Sequence, residues 1–437
     1  MNSASIELPN LKKVDFALRE ITERLAREIT FPSAEPPAWS EFEWRIARAV
    51  AAIQGVSSLL LARSRWVGPP KWRSFLQQQR SHIAARHQQI AKLLEFLDLQ
   101  SRCQGIALVP LKGAALHANG TYAAGDRPMA DVDLLVQGAD TGAMSHLLAS
   151  CGFEVTFTSW RHQLFESKLR KTIAGLGEHS DNPIKIELHT TIRERLPVAE
   201  IDITGLVFPS APRAGLNPYP SAVSLMTHLL LHAAGNMRAN ALRLIQLHDI
   251  ALLAQSLSPG DWEALSAVRR ENRGLWWAMP PLVLTARYYP AAIPPSVISR
   301  LGQGCTWLLR GRSAKLRVAD VSWSNMWVRA FPGIAWCRSP QEAATFMIGR
   351  LWPSGERELE AQHLVSRHPG ASEIPWYGIS QRARVLRWLV SKPPRVQTLV
   401  AVRAALSQCD ADSEDHADPG CLPPATEEPN DARCNRV

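Results

Sequence analysis

The chain has 437 residues, enough for two or three domains and a full-sized core, and its 46% hydrophobic and 20% charged content excludes a disordered or fibrous protein. Lys and Arg number 49 against 40 Asp and Glu, and this diffuse excess of +9 tolerates nucleotides or other polyanions. The basic groups Arg63, Arg65, Lys71, Arg73, Arg80 and Arg310, Arg312, Lys315, Arg317 do not carry the glycines or spaced aromatics of a known nucleic-acid module.

Apolar residues three and four apart from Leu11 to Ile29 predict an amphipathic helix, ended by Pro32, Pro36 and Pro37. A second helical pattern runs from about Glu41 to Arg63, and a third from Trp72 to Gln100 with Ile83, Ile90, Leu93, Leu94 and Leu97 as its buried stripe. Gly105 to Pro110 reads as the first strand. An α/β pattern follows: a helix from about Ala114 to Asn119, strand 131–136, helix 140–151 and strand 153–158. Strict alternation returns at 183–190, with Lys185, Glu187 and His189 on one face and Ile184, Ile186 and Leu188 on the other. From Ser221 helical spacing continues with breaks to about Leu406. The Trp residues dense in this half (Trp276, Trp277, Trp307, Trp323, Trp327, Trp336, Trp352, Trp376 and Trp388) are expected to fill the core. Residues 409–437, rich in Asp, Glu, Pro and Asn, have the composition of a disordered acidic tail.

Seven scattered cysteines without a Cys-x-x-Cys pair argue against a disulfide framework and against structural zinc, and for a reducing compartment. Met1 to Asp15 shows no signal-peptide h-region, and no window approaches ~20 uninterrupted apolar residues, so the expected location is the cytoplasm with no membrane span.

The chemistry concentrates at Ala130 to Val136. Asp131 and Asp133 sit one residue apart in an apolar strand, so both carboxylates point the same way while Val132, Leu134 and Val136 point to the other side. Two like charges held that close call for a cation, and a hard divalent ion such as Mg²⁺ takes carboxylate oxygens while keeping positions open for phosphate. Glu187, 54 positions after Asp133, is the natural third carboxylate. Upstream, Lys112-Gly113 at a strand end opens a helix, where backbone can approach a phosphate closely.

These residues carry a family resemblance. Leu111-Lys112-Gly113-Ala114-Ala115-Leu116, then Tyr122, Arg127, Asp131-Val132-Asp133-Leu134-Leu135-Val136, Gly152-Phe153 and Glu187-Leu188-His189 resemble the uncharacterised nucleotidyltransferase family of the DNA polymerase β-like superfamily. The downstream His228, His232, Arg243, Leu247-His248-Asp249 and Asp261-Trp262 fit the same family, the likeness spanning roughly residues 80 to 290. The resemblance implies an α+β fold: a small mixed sheet with flanking helices, and helical segments at either end. It implies metal ligation by Asp131, Asp133 and Glu187 of two Mg²⁺ ions, with Glu187 also helping to deprotonate an acceptor hydroxyl. It implies nucleotide binding by Lys112, Gly113, Ala114 and Arg127. Two departures are visible: Gly113-Ala114 lies 18 positions before Asp131 and carries no loop hydroxyl, and Glu187 stands where the family often has Asp.

Arg127 is expected to contact a phosphate or pair with Asp131, and His189 to sit at the rim of the site. His228 and His232 have the i, i+4 spacing that can hold zinc, but no Glu follows His228, so a core role is expected and no zinc. Arg243 and Asp249 are expected to form a structural pair. The domains expected are a helical segment 1–80, a catalytic core 81–215, a helical domain 216–408 and the tail 409–437.

The expected activity is Mg²⁺-dependent transfer of NMP from an NTP, with ATP the expected donor, to a hydroxyl or phosphate on a small molecule, peptide, protein or RNA. The rival readings are a noncatalytic nucleotide-binding module of the same fold and an Asp-x-Asp glycosyltransferase. The latter needs several βα units before its acidic pair, and here only one strand precedes Asp131.

Overall fold

Asn10 opens the first helix, its side-chain oxygen accepting from the Lys12 amide at 3.0 Å to cap α1 (Leu11–Thr30). Val14, Ala17, Leu18, Ile21, Leu25, Ala26 and Ile29 form the stripe that the spacing predicts, and all are buried. Each large aliphatic so placed stabilises the fold by roughly 1.5–3 kcal/mol. The computed structural model describes residues 10–167, 176–271, 274–323 and 333–352, together with residue 383.

The helix expected from Glu41 to Arg63 is two helices, α2 (Glu41–Ile53) and α3 (Ser57–Arg63), meeting at 110°. Gly55 makes the corner with a φ of +69°, and a Cβ there would come within 3.1 Å of Ile245 and 3.2 Å of Pro128. Apolar spacing runs through this corner, so periodicity alone does not reveal it. After Pro70 in the first turn, α4 (Pro70–Cys103) runs 34 residues and ends before Gly105, whose φ of +71° turns the chain into β1 (Ala107–Pro110).

From there the elements are α5 (Lys112–Ala118), β2 (Asp131–Val136), α6 (Thr141–Ser150), β3 (Phe153–Thr158), β4 (His162–Ser167) and β5 (Lys185–His189). A hairpin of β6 (Arg193–Leu196) and β7 (Ala199–Asp202), a short α7 (Thr204–Val207) and β8 (Gly215–Leu216) follow. Six strands make one mixed sheet in the order β3-β4-β5-β2-β1-β8. β2 runs antiparallel to β1 and parallel to β5, and β4 joins β5 antiparallel. The mixed α+β class expected from the sequence is thus what the structure shows.

The two faces of the sheet differ. Val132, Leu134, Val136, Ile186 and Leu188 pack with Ile90 and Leu97 of α4 and Met144, Leu147 and Leu148 of α6. Residues of the other parity, such as Val109 and Leu135, join the larger core built by the helices that follow. These are α8 (Ala222–Ala239), α9 (Leu244–Ser256), α10 (Pro259–Glu271), α11 (Met279–Tyr288), α12 (Pro295–Gly302), α13 (Trp307–Ser313), α14 (Val318–Ser322) and α15 (Pro340–Leu351). The helical pattern expected beyond residue 352 and the tail 409–437 lie outside the described residues.

The larger core runs from Val14 in α1 to Trp336, so the described residues of the expected segments 1–80 and 216–408 share one interior. Polar groups stitch them together. Tyr288 Oη donates to Glu23 at 2.7 Å, the Ala319 amide donates to the same carboxylate at 2.9 Å, and Trp323 Nε1 donates to Thr22 at 2.7 Å. Trp276, Trp277, Trp323 and Trp336 are buried as expected, but Trp307 and Trp352 are exposed. Trp327, Trp376 and Trp388 lie outside the described residues. Among the described residues no single helix is long and apolar enough to cross a membrane.

Candidate active site

Strand alternation puts Asp131 and Asp133 on the face of β2 that looks toward α8 and α9, and β5 adds its own acid. In the parallel register Asp133 lies opposite Glu187, and Asp131 opposite Lys185. The three carboxylates line a cavity of about 250 Å³, closed on the far side by Leu229, His232 and Asn236 of α8 and by Arg243, Gln246 and Asp249. Lys112 and Gly113 form part of its wall.

Among the described residues, Lys112 and His189 serve this cluster directly. Lys112 Nζ lies 2.8 Å from Asp133 Oδ1, and His189 Nε2 lies 3.0 Å from the same oxygen. Burial alone would raise the Asp133 carboxyl, but Lys112 and His189 outweigh it and hold the group well below the usual carboxylate range. Asp131 goes the other way, pushed up by burial and by the neighbouring Asp133 charge. Burial would lower Lys112 and His189, yet contact with the carboxylates raises both. Lys185, opposite Asp131, reaches away to Glu166 at 2.9 Å. Lys112 and His189 together offset only part of the charge of three carboxylates.

Lys112 itself is held in the left-handed region, with a φ of +47°. A non-glycine residue there costs of order 1–2 kcal/mol, a strain that the packed surroundings must sustain. Its amide donates to Tyr219 Oη at 3.3 Å, and Tyr219 Oη in turn lies 2.7 Å from His228 Nδ1. Both histidines expected in the core of α8 are indeed engaged by neighbours: His228 by Tyr219, and His232 by Asn236 at 3.1 Å. His189 is buried beside Asp133, not placed at the rim.

The structure redraws the loop contacts. Arg127 does not pair with Asp131; its Nε and Nη2 bind the two oxygens of Asp249, each at 2.8 Å, and Tyr122 Oη adds a third bond to Asp249 at 2.7 Å. Asp249 is therefore not the partner of Arg243, which makes no ion pair among the described residues and stands exposed at the cavity wall. A Cβ at Gly113 would strike the Arg127 guanidinium, so this glycine is required by packing as well as by any approach of phosphate. Ala114 does not reach the cavity: its side chain lies in the core beneath the sheet and its amide donates to the Leu111 carbonyl at 3.1 Å.

Sequence reasoning missed His162 and gave Arg243 only a structural role. His162 begins β4, a strand without clear alternation, and lies opposite His189 across the sheet. Arg243 carries no local signal of its own; only the capture of Asp249 by Arg127 frees it.

Residues 40–284, more than half of the chain, match the family described as uncharacterised nucleotidyltransferase, and the chain belongs to that family. Among solved structures it is similar to the solution structure of the antibiotic-resistance factor ANT(2'')-Ia, at 17% identity and a TM-score of 0.29, with 43% of this chain and 93% of that chain covered. No functionally curated protein matches it.

Proposed function

We propose that the protein is a Mg²⁺-dependent, polymerase β-like nucleotidyltransferase that moves NMP from an NTP, ATP being the proposed donor, to an acceptor hydroxyl or phosphate. The observation that carries this reading is the register of β2 and β5, which gathers Asp131, Asp133 and Glu187 on one wall of a cavity whose other walls carry Lys112 and Arg243. The donor set fits hard divalent cations: Asp131, Asp133 and Glu187 present oxygen ligands to one cavity, with more negative charge than Lys112 offsets. Asp131, Asp133 and Glu187 would hold the ions, which when bound neutralise phosphate charge and activate the attacking oxygen.

The remaining work falls to the chain's own side chains. Phosphoryl chemistry asks a protein mainly for positioning and charge. Lys112 exchanges its contact with Asp133 for the phosphates, Arg243 meets them from the opposite wall, and Glu187 accepts the acceptor's proton. The acceptor oxygen bonds to the α-phosphorus as the bond to the β-phosphate bridging oxygen breaks, and pyrophosphate leaves. Arg127, locked to Asp249, supports Gly113 from behind.

The test is transfer of α-labelled NMP with Mg²⁺ and panels of small-molecule, peptide, protein and RNA acceptors, with pyrophosphate release as a second readout. Label transfer that disappears in Asp131→Asn and Asp133→Asn supports the proposal. Nucleotide binding by thermal shift without transfer to any acceptor would favour a noncatalytic module instead.

A further inference from the structure

Beside the carboxylates, on the β4 side of β5, three potential ligands of mixed type come together. His162 of β4 and His189 of β5 are cross-strand partners in the antiparallel register, and Glu187 lies on the same face of β5. His162 Nε2 is 3.8 Å from Glu187 Oε1, and His189 Nε2 is 3.6 Å from Glu187 Oε2. One ligand atom from each residue lies within 4.8 Å of the others.

These separations are too long for hydrogen bonds and slightly wider than a shared ion requires. Ligands bound at about 2.0–2.2 Å around one tetrahedral ion stand roughly 3–3.5 Å apart, a few tenths of an ångström from what is seen. The imidazole rings, 5.2 Å apart between centroids, flank the carboxylate rather than stack on one another. Glu187 thus stands between two imidazoles at ion-pair distance from each, an arrangement that a divalent cation can occupy by drawing the three groups a few tenths of an ångström together.

We propose that His162, Glu187 and His189 form a divalent-metal site with nitrogen ligands, adjoining the carboxylate site and sharing Glu187 with it. Two imidazoles and one carboxylate suit Mn²⁺, Co²⁺ or Zn²⁺ better than Mg²⁺, which takes oxygen ligands. Asp133, whose Oδ1 is 3.0 Å from His189 Nε2, is the next ligand within reach. The absence of Cys-x-x-Cys and of a helical zinc motif does not bear on this site, because its histidines come from two strands.

The site is tested by titrating Mn²⁺ into metal-stripped full-length protein without nucleotide, following free Mn²⁺ by electron paramagnetic resonance and the bound ion by its ¹⁴N couplings. The expected result is a bound Mn²⁺ with imidazole nitrogen coupling, and an affinity that falls by more than about tenfold in His162→Ala and His162→Gln, beyond the lower end of what losing a supporting residue costs. Far-ultraviolet circular dichroism establishes that both variants fold, and His162 is partly exposed, so its replacement leaves the core intact. No binding, binding without nitrogen coupling, or unchanged affinity in the folded variants would overturn the site. No nucleotide is present, so Mn²⁺ held through nitrogen by a protein that transfers no label keeps this site and loses only the proposed activity.

Discussion

Glu187 lies opposite Asp133 in the parallel pairing of β5 with β2, which places two carboxylates on neighbouring strands and the same face. Adjacent strands are about 4.8 Å apart, and like charges directly opposite are destabilising. The fold therefore keeps a local electrostatic cost at this point, offset in part by Lys112 and His189.

That cost has a measurable consequence at Asp131. Its carboxyl is pushed up in the folded protein, so at neutral pH the ionised form weighs against folding. Asp131→Asn removes the charge and keeps the shape. In metal-free protein it is expected to raise the melting temperature, while nucleotidyl transfer falls on the order of 10³-fold with the loss of several kcal/mol of transition-state stabilisation. Calorimetry and turnover on the same preparation check both signs.

The Arg127–Asp249 pair is buried on both sides, so removing one partner strands the other. Asp249→Ala is expected to destabilise the protein by about 3–5 kcal/mol in urea unfolding. Gly113→Ala pushes on the same guanidinium and is expected to cost about 1–3 kcal/mol. The two losses should fall short of additive in the double variant, because both act through Arg127.

Acid stability should depend on two histidines, His117 and His248. Burial, together with nearby His87, pushes His117 down to about 4, and burial with nearby Arg63 does the same to His248. Both have folded values below the unfolded value of about 6.5. The unfolded chain therefore binds more protons between these limits, and stability is full above pH 6.5 and declines as pH falls toward 4. The expected loss is on the order of 2–3 kcal/mol per histidine, and His117→Phe should flatten the fall in chemical denaturation curves across that window.

Arg243 is exposed at the cavity wall and enters no ion pair among the described residues, so its loss should leave the fold unaltered. Arg243→Ala is expected to raise KM for the NTP about tenfold, equivalent to about 1.4 kcal/mol, with an unchanged melting temperature. A shift in melting temperature with unaltered kinetics would assign the residue to structure instead.

Much of the site was legible because strand alternation is local. The spacing of Asp131, Val132 and Asp133 alone predicts which side chains share a face, and Asp131 and Asp133 do line the cavity while Val132 packs in the core on the other side. The helix-breaking corner at Gly55 was not legible, since apolar periodicity is preserved across it. Nor was β4, whose run Leu164-Phe165 lacks a period and so hides His162.

By itself the sequence determined the strands β1, β2, β3 and β5, most of the helices, the acidic face of β2 and the family, because each depends on residues a few positions apart or on their order along the chain. Only the tertiary structure decided partners. Arg127 and Asp249 are 122 residues apart and His189 is 56 from Asp133, and no local pattern encodes which distant charge a buried group will meet. The choice is made when β5 settles beside β2 and α9, packed on α8, brings Asp249 to the loop that carries Arg127: a buried charge must find a counter-charge among the groups that packing brings within reach.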